Sequence, residues 1–121
     1  IDVDTGAGND RLIGNIVVGS QWGKMVGFEN HSGRTYLGNA VKELGKVIKG
    51  AGNNGGDKTE GCVVNNVFGT YMHGPVLAKN PAFADELISR ALVQQGGSGS
   101  LDPIDDSLEN LAAQIARARP R

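Results

Sequence analysis

A single cysteine in 121 residues excludes an intrachain disulfide and a cysteine-rich zinc site. Twelve Lys and Arg against thirteen Asp and Glu leave a formal charge of −1. The chain therefore lacks the basic excess that would attract nucleic acid or an anionic membrane surface. No apolar run approaches the ~20 residues that a membrane-spanning helix needs. No leader-like pattern opens the chain, which runs from Ile1 directly into strand-like sequence. A reducing, cytoplasmic setting is the expectation. The chain also has no internal repeat, no low-complexity domain and no G-x-x-x-x-G-K-[ST] phosphate loop.

Glycine is in excess. There are 19 in the chain, roughly 16% against a usual ~7%. So much glycine argues for tight turns and against a helical bundle. The 39% of hydrophobic and 21% of charged residues describe a chain that folds. Its length allows one domain.

The first half reads as short strands between turns. Thr5 to Asp10 is a cluster of turn formers, and Arg11 to Val18 is β-branched and partly alternating, a strand. Further strands are expected at Met25–Phe28, Arg34–Leu37, Leu44–Lys49, Gly61–Val64 and Val67–Met72. Asn65-Asn66 suits a hairpin turn or bulge. The second half changes period. Asn80 reads as an N-cap and Pro81 as the first helical residue. Ala84, Leu87, Ile88, Ala91 and Leu92 then follow the helical repeat, and Gly96-Gly97 ends the helix. Ile104, Leu108, Leu111 and Ile115 mark a last helix, with acids at its start and Arg117 and Arg119 at its end. A strand-rich half with a helical finish suits part of an α/β domain.

Several motifs fail on chemistry. Gly50-Ala51-Gly52-Asn53-Asn54-Gly55 has the letters of a dinucleotide loop, yet Gly56 to Glu60 cannot open the helix that mechanism needs. A surface loop is the expectation. Asp2-x-Asp4 resembles the start of a calcium loop, but Ile13 stands where a bidentate Glu is required. Asn30-His31-Ser32 has the letters of a glycosylation sequon without a secretory context. Cys62 runs on into strand instead of a helix N-terminus, so it reads as a small buried hydrophobe. His31 falls in a polar loop. His73 ends an apolar run before Gly74-Pro75, and side chains at such strand ends face ligand crevices in α/β sheets. An imidazole there is either a proton carrier or a hydrogen-bonded structural residue. Arg11 has the fork of a carboxylate clamp, but nothing local commits it to that role.

Three segments in order carry a family resemblance. They are Val26 to Thr35, Gly50 to Asn54, and Glu60 to Val64 running into Gly69 to Pro75, with Lys79 to Asp85 in agreement. This pattern resembles the C-terminal half of class I glutamine amidotransferases of the cobyric-acid-synthase-like group. Within that group it is most similar to the glutaminase subunits of lipid II isoglutaminyl synthases. The resemblance implies a flavodoxin-like α/β fold, with residues 1–95 as the C-terminal half of the domain and 96–121 as a connector and helix. It implies that His73 is the catalytic histidine and that Arg11 binds glutamine. It also implies a Mur-ligase-like partner of the MurT type, which holds ATP and magnesium and amidates the glutamate of the lipid II stem peptide. No cofactor is implied on this chain. The amidotransferase parts of cobyric acid and cobyrinate a,c-diamide synthases share the pattern, and a non-catalytic scaffold domain of the same fold is a further reading. The family's nucleophilic cysteine belongs to an upstream half that Cys62 does not match. Pro75 stands where many relatives carry a carboxylate. The chain therefore reads as a fragment or part of a longer protein, inactive alone.

Overall fold

The computed structural model describes Ile1 to Arg121. Two long antiparallel strands dominate it, β1 (Val3–Ser20) and β2 (Gly23–Leu37). Two shorter strands, β3 (Gly45–Lys49) and β4 (Thr59–Glu60), complete a sheet of order β2-β1-β3-β4. A separate hairpin joins β5 (Cys62–Val64) to β6 (Val67–Gly69). The helices α1 (Val76–Lys79), α2 (Pro81–Gln94) and α3 (Ser107–Ala118) close the chain. The class is α/β, strand-rich first and helical last, as the sequence pattern indicates. No helix is long and apolar enough to cross a membrane.

The turn formers at Thr5 to Asp10 do not end a strand. They lie inside β1, whose five steps from Ala7 to Leu12 face only two steps of β2, from Gly33 to His31. The surplus residues are absorbed as an irregularity in a continuous ladder, the usual fate of an extra residue in a paired strand. The segment around His31 is likewise not a loop. It is the middle of β2, and His31 is buried there. Asn65 does turn the β5–β6 hairpin, with φ of 53°.

Alternation along β2 divides its side chains between two faces. Met25, Gly27, Glu29 and His31 face inward with Ile16 and Val18 of β1, under Leu44, Met72 and Phe83. Trp22, Phe68 and Phe83 pack against one another there, with centroids 5.0–6.1 Å apart. Truncating a phenylalanine as buried as Phe83 costs about 3–5 kcal/mol. On the opposite face, Val17 and Val26 are covered by Ala113 and Ala116 of α3. Further along that face Ile13 and Phe28 stay exposed, at 54% and 38%. The apolar row of α3 points away from this contact, and Leu108 and Leu111 are exposed.

The outer edge of β2 is occupied in two ways. Phe28 and His73 exchange both backbone hydrogen bonds, at 3.0 and 2.7 Å. Next to them the Asn80 amide accepts from the Val26 N–H and donates to the Val26 carbonyl, each at 2.8 Å. Asn80 does precede a helix that starts with Pro81, but its side chain caps β2 instead of α2. Both edge contacts fix the same stretch of chain against the sheet.

Candidate functional site

His73 sits where the backbone leaves this edge for α1. Its neighbour Met72 packs inward against Gly27, where a Cβ would lie 2.9 Å from the Met72 Cβ. His73, the next residue, pairs with the exposed Phe28, so alternation directs the imidazole to the open face. The residue is exposed, and only its backbone is engaged by the rest of the chain.

Arg11 lies on the same face. Its Nε donates to the Oδ1 of Asn30 at 2.9 Å, and Asn30 alternates with Phe28 along β2. Arg11 enters none of the four ion pairs, so the terminal fork of its guanidinium is open to a carboxylate. Asn30 and Phe28 are two residue steps apart on β2, ~7 Å at ~3.3 Å per residue. The open face thus carries an imidazole and an unpaired cation, with Phe28 between them and its cross-strand partner Asn15 bonded to the Pro120 carbonyl. No three His, Cys, Asp or Glu side chains converge to hold a metal ion.

Cys62 is elsewhere. It is half-buried and borders a cavity of about 200 Å3 with Thr5, Thr35, Asn53 and Tyr71. Thr35 belongs to the inward set of β2, so the sheet stands between this sulfur and the His73 ring. The loop Gly50 to Gly55 opens no helix, yet it is not a surface loop throughout. Gly52 and Asn53 are buried because the loop folds under the sheet.

That inward face holds a polar network. The Glu29 carboxylate, 0% exposed, accepts the Ala51 N–H at 2.7 Å and the Gly52 N–H at 2.9 Å. Arg121 pairs with it as well. Nδ1 of His31 lies 2.9 Å from the Gly33 carbonyl, which only accepts, so Nδ1 carries a proton. The His31 ring stacks on Tyr71 at 3.6 Å and 4°. Its Nε2 has no hydrogen-bond partner and lies 3.8 Å from Glu29. Glu60, also 0% exposed, accepts from the Tyr71 N–H at 2.7 Å and from the Thr70 hydroxyl. Burial pushes its carboxyl up to about 7, with the Glu29 charge adding to the rise and those hydrogen bonds opposing it. The motifs give Glu29 and Glu60 no role. The period of two through Met25, Gly27, Glu29 and His31 is the signal that points to Glu29, whereas Glu60 lies in β4 outside that pattern.

A family model for the CobB/CobQ-like glutamine amidotransferase domain matches residues 1–81. The chain belongs to that family. The match includes both Arg11 and His73 and ends where α2 begins. Among relatives of this amidotransferase domain, the lipid II isoglutaminyl synthase subunit GatD of Staphylococcus aureus strain N315 is 42% identical over 116 residues. That alignment covers 95% of this chain and 47% of the relative. GatD of Streptococcus pneumoniae R6 is 43% identical over 91 residues, 74% of this chain and 35% of the relative. A probable cobyric acid synthase of Methanothermobacter thermautotrophicus is 43% identical over 65 residues, 53% of this chain and 13% of the relative. The chain spans about half the length, or less, of the curated relatives it matches.

Proposed function

We propose that this chain is the histidine-bearing half of a glutaminase that supplies ammonia to amidate the glutamate of the lipid II stem peptide. The observation that carries this reading is the open sheet face with His73 and Arg11, in a chain so similar to GatD over 95% of its length. The Arg11 fork suits the carboxylate of glutamine. A cysteine thiolate attacks the side-chain amide carbon, and His73 takes the thiol proton and returns it to the departing ammonia. Water then cleaves the thioester to glutamate. Cys62 is separated from His73 by the sheet, so the nucleophile is assigned to a part of the protein outside residues 1–121. This chain by itself is accordingly inactive.

Every strand pairing here is antiparallel. A flavodoxin-like fold would take its parallel core from outside these residues. We assign residues 1–95 to the C-terminal half of that domain and 96–121 to a connector and helix. The enzyme works in the cytoplasm as a heterodimer with a Mur-ligase-like, MurT-type subunit, which holds ATP and magnesium and bears the lipid II site. The carboxylate that orients His73 is not supplied at Pro75. Glu29 and Glu60 face the other side of the sheet. It comes from elsewhere, a partner subunit being one source, or is dispensed with.

The test is glutamate release from glutamine by the full-length protein with its partner subunit. Turnover supports the proposal. Absence of turnover, together with no cysteine adduct from a glutamine-mimicking electrophile, would leave a non-catalytic scaffold instead.

A further inference from the structure

We propose that Glu29 is a positioning residue for this site, holding His73 in place through β2 from the opposite face of the sheet. The inference rests on the reading of His73 as the catalytic histidine. Glu29 adjoins Phe28, and Phe28 holds His73 by two backbone hydrogen bonds of 3.0 and 2.7 Å. Position 29 is itself clamped from below. One carboxylate oxygen accepts the Ala51 N–H at 2.7 Å and the other accepts the Gly52 N–H at 2.9 Å. The Arg121 guanidinium and the Nε2 of His31, the latter at 3.8 Å, face the same group. The Glu29 carboxylate is 0% exposed, so a bond lost there is not readily replaced by water.

The chemistry requires a carboxylate. Two N–H donors approach two different oxygens, and only an acceptor-only group serves both. A glutamine would turn its NH2 toward one of the N–H groups. The second arm of the network reinforces the first, since His31 stacks on Tyr71 at 3.6 Å, two residues before His73. The segment carrying His73 is thus referenced to β2 at both of its ends. A shift of about 1 Å in a reacting group can cost as much as 100-fold in rate, even from a distant substitution.

The experiment uses the full-length protein with its partner subunit and measures glutamine hydrolysis by wild type, Glu29→Gln, Glu29→Asp and His73→Ala. The expected result for Glu29→Gln is a folded protein with kcat lowered roughly 10- to 100-fold and KM within about twofold of wild type. Glu29→Asp, which keeps an acceptor-only group, recovers part of the loss. Hydrogen exchange at the Phe28 and His73 amides is faster in Glu29→Gln. A folded Glu29→Gln with normal kcat, or with a change in KM alone, overturns the proposal. Should Glu29→Gln fail to fold, Glu29→Asp decides by the same split between kcat and KM. Normal turnover by His73→Ala would overturn the underlying reading itself. An inactive His73→Ala beside a normal Glu29→Gln would overturn the positioning role alone.

Discussion

One face of the β1–β2 hairpin is closed and crowded with polar groups, whereas the other is open and carries few. On the closed face Glu29 and Asn53 spend their side-chain hydrogen bonds on backbone groups, and Nδ1 of His31 bonds the Gly33 carbonyl. On the open face Arg11 has one tether, to Asn30, and the His73 imidazole has none within the chain. Internal satisfaction marks residues that hold the fold, and unspent capacity marks residues available to a ligand. A strand period of two is enough to separate these roles within a few residues, as Phe28, Glu29 and Asn30 illustrate.

The comparison breaks first at His73. In the full-length protein His73→Ala should lower glutamine turnover by about 10²–10⁴-fold, the usual worth of a positioned acid–base group. Its melting temperature should stay near wild type because the imidazole is exposed. Arg11→Ala comes next. It should raise the KM for glutamine, costing about 2–5 kcal/mol if a desolvated carboxylate loses its partner. An unchanged KM would remove Arg11 from the binding role.

At Glu60 the closed face is probed by pH. Glu60 has its carboxyl raised from 4.5 to about 7 in the folded protein. Between those values the folded state holds a proton that the unfolded chain has released, so stability falls as pH rises. The loss through this window is about 3 kcal/mol at 1.36 kcal/mol per unit, and it is complete above pH ~7. Denaturant unfolding at pH 5 and pH 7.5 should show this slope, and Glu60→Gln should flatten it. A wild-type stability that rises over this range would contradict the burial argument. The smallest effect is expected at Leu108, 71% exposed on α3. Leu108→Ser should change stability within about 0.5 kcal/mol.

The elements most legible in the sequence were those whose signals are local. Pro81 after Asn80 marks the start of α2, and Asn65 marks the β5–β6 turn. The long reach of β1 was not legible, because its glycine cluster has turn chemistry and only pairing with β2 keeps it extended. His31 was misplaced for a related reason. Its neighbours Glu29, Asn30 and Ser32 are polar, and a loop is what polarity suggests until the buried partners of Glu29 are known. The role of Asn80 at the β2 edge depends on Val26, 54 residues away, which no local pattern conveys. His73 stood out by its place at the end of an apolar run. Its separation from Cys62 required the sheet.

The most direct test of this division is to treat the full-length protein with a glutamine-mimicking electrophile and map the modified cysteine by mass spectrometry. The account predicts a single adduct on a cysteine outside residues 1–121, with Cys62 unmodified. An adduct on Cys62 would place the chemistry on the closed face and contradict it.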